Sequence, residues 1–347
     1  MLRNTVLILL CGCICHARKP EKLCALVPES YENAKRMYPE AKFALETMEA
    51  QTIATWYTDR DPNSAFVVEK LLKKCPPTSR IVLVVYGMPQ KDCEAQYSSG
   101  SSSVKDSESY RTWLQQLASS LGNRTVLYIV EPDAISLSMD NKCGVEKHYA
   151  SHLEMAIEVL SVNKNADLYL DVGYWSVSTK DGAKKVADFI KRVCGPRNVA
   201  GIVLNTSNYR TIPELEEDCT NFQDAIHSKQ YRCVVDTSRD MKGASRTSEW
   251  CNYKDAGIGP PPTEIVPDSS LSYLAYLKVP GESDGFCNDP TRTSDAAHGP
   301  AAGEFSMDLF TNLWNNGYYV LKRKSIRITD GNQSPAKVHG VRNSTFC

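Results

Sequence analysis

No stretch of this chain approaches the roughly 20 consecutive apolar residues that a membrane-spanning helix requires, so no transmembrane segment is expected. The run from Val6 to Ile14, apolar apart from Gly12, is too short to span a bilayer. It leads into Cys15-His16-Ala17, which sets small residues at the positions a signal peptidase reads. A leader of residues 1–17 is therefore expected, followed by a secreted, extracellular chain. Net charge is equally scarce: 40 Lys and Arg stand against 41 Asp and Glu, a formal balance of −1. That removes the chain-wide field that would recruit nucleic acid or an anionic membrane surface, and it points to a neutral partner. Internal repeats and Pro/Ser/Thr-rich linkers are lacking too. With 347 residues, 42% of them hydrophobic, one domain from residue 18 to 347 is expected, because barrel domains commonly run past about 250 residues undivided. Its polar tail, 319–347, holds Lys322, Arg323, Lys324 and Arg327 and reads as a solvated C-terminal extension.

Cysteine is plentiful by contrast, with 13 in the chain. Removing Cys11, Cys13 and Cys15 with the leader leaves an even number, which suits disulfides in an oxidising compartment and argues against thiolate catalysis. Glycosylation sequons at Asn123, Asn332 and Asn343 fit the same route, whereas the one at Asn205 falls where the substrate cleft is expected and should carry no glycan.

Short runs rich in β-branched and aliphatic residues recur at Thr52–Trp56, Arg80–Tyr86, Thr125–Val130, Asp167–Asp171, Val199–Leu204, Arg232–Asp236 and Tyr273–Lys278, and these read as buried strands. Between them, apolar spacing near 3.6 predicts helices over Ser107–Leu121, Glu146–Val162, Gly182–Val193, Pro213–His227 and Ser306–Asn315. This alternation predicts an α/β fold, a distorted (β/α) barrel of about seven parallel strands. An open doubly wound sheet would alternate in the same way, but no Gly-x-Gly-x-x-Gly follows the first strand to supply its usual dinucleotide site.

Barrel chemistry sits at the carboxyl ends of the strands, where the loops converge. Tyr86 closes one strand and Asp92 follows it; Glu131-Pro132-Asp133 closes the next; Asp171, Asn205, Asp236 and Lys278 end others, with Glu282 and Asp284 beyond. Any one of these could simply cap the next helix. Together they suit acetal hydrolysis, in which one carboxylic acid stays neutral to protonate the leaving oxygen and a second handles water. Asp92 and Asp133 follow neighbouring strands, so mutual repulsion could keep a proton on one of them. Glu131, at the end of its strand, suggests a structural hydrogen bond instead.

Read in order, these segments resemble glycoside hydrolase family 6, the inverting cellulases. The resemblance is carried by Val84-Val85-Tyr86-Gly87-Met88-Pro89-Gln90-Lys91-Asp92-Cys93, by Ile129 to Leu137 around Glu131-Pro132-Asp133, and by Asn205-Thr206-Ser207-Asn208-Tyr209. Val235-Asp236-Thr237-Ser238-Arg239, Trp250-Cys251-Asn252 and Lys278-Val279-Pro280-Gly281-Glu282-Ser283-Asp284-Gly285 continue it, so that it spans about Thr52 to Asn316. It implies a secreted, inverting β-1,4-glucanase acting on cellulose as a monomer, with no cofactor and no metal. Asp133 matches the general acid, Asp92 the aspartate that raises the acid's pKa and organises water, and Asp284 the candidate base. Tyr86 matches the tyrosine that crowds the sugar at the cleavage point, and Ser98 a loop serine that holds water. Trp56, Trp175, Asn205, Asn208, Arg239, Trp250, Lys278 and Glu282 fall at substrate-binding positions, Arg239 beside the acidic cluster. The resemblance also pairs Cys93 with Cys143 and Cys251 with Cys287. For Cys24, Cys75, Cys194, Cys219, Cys233 and Cys347 the pairing stays open.

Two departures from the family pattern stand out. Tyr174 replaces the usual histidine and Gly87 the usual aspartate. The stretches after Trp175 and between Asp284 and Gly303 are short for loops that would roof a tunnel, which favours an endoglucanase over a cellobiohydrolase. A glucan-binding protein without turnover is the rival from another class, and clustering three acids in a mere binding site would cost stability for nothing. A barrel hydrolase of another glycan is the second rival. His148 and His152 have helical metal-ligand spacing, yet no acid/histidine motif surrounds them, so they read as surface helix positions.

Overall fold

A computed structural model describes residues 21–60, 64–99, 103–139, 142–243, 249–265 and 269–329. The leader, the sequons at Asn332 and Asn343, Cys347 and the tail beyond 329 lie outside the described residues.

Among the described residues nine strands form one sheet: β1 (Leu23–Cys24), β2 (Thr55–Thr58), β3 (Arg80–Tyr86), β4 (Val126–Val130), β5 (Ala166–Asp171), β6 (Gly201–Leu204), β7 (Arg232–Asp236), β8 (Thr263–Glu264) and β9 (Leu271–Ala275). Their order is β1-β3-β4-β5-β6-β7-β9-β8, with β2 also on β3. Every pairing is parallel except β8 with β9. The sheet curls until Ile53, just before β2, bridges Tyr276, just after β9. The seven expected strands are all present. The two-residue β1 and β8 are additional, too short to leave a periodic signal. The last expected strand is displaced: β9 ends at Ala275, and the N–H groups of Leu277 and Lys278 bond the Asp236 carboxylate instead of continuing the ladder.

The helices are α1 (Glu29–Met37), α2 (Lys42–Glu49), α3 (Ser64–Lys74), α4 (Ser107–Leu121), α5 (Ala134–Leu137), α6 (Cys143–Glu146), α7 (Tyr149–Leu160), α8 (Lys180–Cys194), α9 (Ile212–Ile226), α10 (Met307–Asn315) and α11 (Tyr318–Leu321). Local chemistry sets several boundaries. Asp106 and Ser109 form a capping box at α4, Thr211 and Glu214 another at α9, and Thr179 caps α8 through the Gly182 N–H.

Strand alternation sorts the core. Val82, Val84 and Tyr86 of β3 point inward with Leu127, Ile129, Tyr169, Val203, Val234 and Tyr273, while Ile81, Leu83 and Val85 face the outer helices. Tyr86 is therefore the top rung of the barrel interior. A third cluster, built on Tyr31, Leu45, Met48, Tyr276, Phe310 and Trp314, packs α1, α2 and α10 over the β2–β9 closure.

The first part of the tail is anchored at a few points. Tyr319 stacks on Trp314 at 5.4 Å, Ile328 is buried, and the Trp314 indole donates to the Ile326 carbonyl at 3.0 Å. Apolar burial at Tyr319 and Ile328 docks this stretch on the domain, while Leu321 to Lys324, Ile326 and Arg327 stay exposed. His152 also departs from its expected surface position. It is buried, with Nε2 3.0 Å from Ser107 Oγ and its ring edge-on to Tyr110, and burial lowers its pKa. Among the described residues no group of three His, Cys, Asp or Glu side chains is placed to hold a metal.

Candidate active site

The loops leaving the strands hold non-glycine residues in the left-handed region: Asp92 at φ 55°, Glu131 at 46°, Asp133 at 67°, Asn205 at 70°, Ser207 at 59° and Asn252 at 44°. Such backbone is unfavourable unless its surroundings hold it, and here it gathers at the strand ends that carry the polar residues.

Asp133 follows β4 and precedes the four-residue α5, yet its side chain makes no capping hydrogen bond. Its backbone N–H donates to Asp171 Oδ1 at 3.1 Å. Burial, then the negative charges of Asp171 and Asp92, push its carboxyl up to about 8. It is thus a neutral acid near neutral pH. Glu131, two residues earlier, is the structural residue its position suggested. It accepts from the Gly87 and Met88 N–H groups, at 3.0 and 3.2 Å, and from Tyr110 Oη at 2.8 Å.

Asp92 lies one loop away and is partly buried. Desolvation raises its pKa while the N–H of Ser98, bonded to Oδ2, opposes the rise. Ser98 therefore meets Asp92 through its backbone. Tyr86 packs edge-on against Trp56 at 5.6 Å, and burial, followed by Asp92 and Asp133, keeps its phenol protonated. Trp56 is pinned by its indole N–H to the Leu277 carbonyl at 2.7 Å.

Asp284 stands in a second, strongly ionic cluster. Its Oδ2 accepts from Arg239 Nη1 at 2.8 Å, Tyr209 Oη at 3.0 Å and the Asn252 N–H at 2.9 Å, and Lys278 Nζ is 3.3 Å from Oδ1. Burial alone would raise this carboxyl, but Arg239 and Lys278 outweigh it and hold it at about 2. Arg239 is itself clamped by the Ser207 carbonyl and stacks over Tyr209 at 4.3 Å. Beside them Glu282 accepts from Ser30 Oγ at 2.8 Å, and desolvation raises its pKa.

The expected sugar contacts divide. Trp175 is 37% exposed and offers an open indole beyond β5. Trp250 carries the Arg292 guanidinium over its ring at 4.4 Å, so one face is already taken. Asn205 is fully buried, with its amide spent on the Arg210 N–H and carbonyl and on the Asp236 carbonyl, so the structure gives it a backbone-bracing place instead of a sugar contact. Asn208 turns its amide to the Thr206 carbonyl at 3.0 Å.

The model of the glycosyl hydrolases family 6 matches residues 22–317. The chain belongs to that family. As a family 6 chain it is 30% identical over 278 residues to endoglucanase A of Cellulomonas fimi, covering 79% of itself and 55% of that relative. It is 27% identical to a probable 1,4-β-D-glucan cellobiohydrolase C of Aspergillus niger, covering 67% of itself and 60% of the other. The chain thus spans a little over half the length of these curated relatives. Its fold matches a family 6 enzyme of Orpinomyces sp. with a TM-score of 0.72 at 25% identity, over 86% of this chain and 97% of the other. The endoglucanase of Mycobacterium tuberculosis, at 24% identity, has the same fold with a TM-score of 0.72 over 86% and 98%.

Four disulfides brace this family 6 domain among the described residues. Cys93–Cys143 and Cys251–Cys287 are the pairs that the resemblance implied, each holding a loop beside the site. Cys24–Cys75 and Cys219–Cys233 resolve part of what was open. Cys194 has no disulfide partner among the described residues, and burial pushes its thiol up to about 12. Asp171 is the neighbour that sequence reasoning undervalued. It was visible as a strand-end acid, but only the fold aims it at Asp133, with Thr206 Oγ1 donating to its other oxygen.

Proposed function

We propose that this chain is a secreted, inverting β-1,4-glucanase that cuts internal bonds of cellulose or a related β-glucan, with Asp133 as general acid. The observation that carries the reading is the Asp133 carboxyl: uncapped, free to face a leaving oxygen, and kept protonated by burial beside Asp171 and Asp92. Asp92, held by the Ser98 N–H, orients water. Asp284 has three donors on one oxygen and too low a proton affinity to be a strong base by itself. It is the candidate base through a water relay, taking up the proton that the attacking water loses, and its partner cations keep it ionised for that role. Tyr86 crowds the sugar from the barrel interior. The matched relatives named as endoglucanase and cellobiohydrolase support β-1,4-glucan as substrate.

The direct test is to incubate the protein with cellulose, mixed-linkage glucan, chitin and xylan, measure reducing ends, and follow the anomer of fresh product by NMR. Release of α-anomer from the first two supports the proposal. Near-normal turnover by Asp133→Ala, or β-anomer as the initial product, rejects it.

One contact favours the cellobiohydrolase alternative. Tyr97, in the loop after β3, donates to Asp289 Oδ2 at 2.7 Å and rests against Trp250, joining that loop to the one after β9. The short turn from Tyr174 to α8 favours internal cutting. Viscosity loss against reducing ends on a soluble cellulose derivative separates the two.

A further inference from the structure

Tyr174 stands where the family pattern has histidine, and its surroundings give it a different task. The Arg210 guanidinium lies over the Tyr174 ring at 4.6 Å, and Nη2 donates to its hydroxyl at 3.0 Å. On its other partner, the Tyr174 ring meets the Trp175 indole edge to face, with centroids 5.3 Å apart at 89°. The indole is folded back over Gly173, whose φ is +66° and where a Cβ would come within 2.6 Å of the ring, so only glycine permits this approach. Gly173 in turn donates its N–H to Asp171 Oδ1, the oxygen that also holds the Asp133 backbone.

Arg210 is anchored independently. Its main chain is bonded on both sides to the buried Asn205 amide, and Nη1 lies 3.9 Å from Glu214 Oε1, a carboxylate fixed by capping α9. A strut therefore runs from the loop after β6, through Arg210 and Tyr174, to the exposed Trp175.

Resting on the glucanase reading above, we infer that Arg210 and Tyr174 are positioning residues that hold the Trp175 indole at the angle on which a glucose unit stacks. Tyr174 is a strut in this arrangement, its hydroxyl engaged by Arg210. An apolar sugar face gains from an indole only when the indole is held flat to it, so the strut lowers the ordering cost of binding without touching the reacting bond.

The test is a double-mutant cycle of Arg210→Met with Trp175→Ala, together with Tyr174→Phe. Each is assayed for KM and kcat on cellohexaose, and for cellohexaose binding by tryptophan fluorescence in an Asp133→Asn background. Arg210→Met keeps the backbone N–H that Asn205 needs, and thermal melts confirm folding. Loss of one cation–π contact predicts a KM rise of about threefold to tenfold, larger than any fall in kcat. A smaller rise is expected for Tyr174→Phe, and no further effect of Arg210→Met once Trp175 is alanine. Additive effects, or a loss confined to kcat, overturn the inference while leaving the glucanase reading intact. If the unmutated chain neither cuts nor binds cellohexaose, both fall.

Discussion

Asp171 receives the backbone N–H of Asp133 on Oδ1 at 3.1 Å, so the carboxylate that most crowds the acid also fixes the acid's main chain. The two titrate as a linked pair. Asp171 is itself raised to about 6, chiefly by burial, and is charged above that pH, where it strengthens the hold of Asp133 on its proton.

Asp171→Asn should therefore move the alkaline limb of the pH–activity profile downward by about one unit, since the charge that disfavoured ionisation of Asp133 is gone. The asparagine oxygen can still receive the Asp133 and Gly173 N–H groups, so the main chain should hold its path. An unmoved alkaline limb would show that Asp171 does not tune the acid.

The same burial makes Asp133 a stability cost. Its folded-state pKa of about 8 lies above the ordinary carboxylate value, so the folded state binds the proton more tightly than the unfolded. Stability from this group is present below the unfolded pKa and is lost as pH rises towards the folded pKa. Asp133→Asn should accordingly raise the melting midpoint near pH 7.5, by about 1–2 °C for each kcal/mol regained, and change it little at pH 4. Paired melts at the two pH values check the sign.

Asp284 has the opposite linkage. Its pKa of about 2 is below the unfolded value, so it stabilises the fold above the ordinary carboxylate range and loses that contribution as pH falls from about 4 towards 2. Arg239→Met strands a buried carboxylate and should destabilise by about 3–5 kcal/mol in denaturant titration at neutral pH, with a weaker dependence on acid. A loss below about 1 kcal/mol would mean that Lys278 alone compensates.

Asn205 gives a prediction that separates bracing from binding. Asn205→Ala leaves the Arg210 N–H and the Asp236 carbonyl short of partners, which should cost about 1–3 kcal/mol of stability. KM measured well below the melting midpoint should change far less than it does for Trp175→Ala. An equal rise in KM that persists once Trp175 is alanine would return Asn205 to the sugar-binding set.

Helix and strand patterns were legible because their signals are local: the seven longer strands and α4, α8 and α9 follow from periodicity and caps, whereas β1 and β8 have only two residues each to show. The acids were legible as strand-end residues for the same reason. Their roles were not equally visible. Asn205 and Asp284 read alike as polar loop positions, but one is consumed by backbone and the other by Arg239, Tyr209 and Asn252 from distant segments.

By itself, then, the sequence determined the parallel α/β order and the strand ends that carry Asp92, Asp133 and Asp284, since both depend on neighbours within a few residues. Tertiary structure alone decided that Asp133 keeps its proton while Asp284 stays ionised, that Cys24 meets Cys75 across 51 residues, and that Tyr319 and Ile328 are buried. Burial and charge–charge distance set those outcomes, and both come into being only when separate loops close over one mouth.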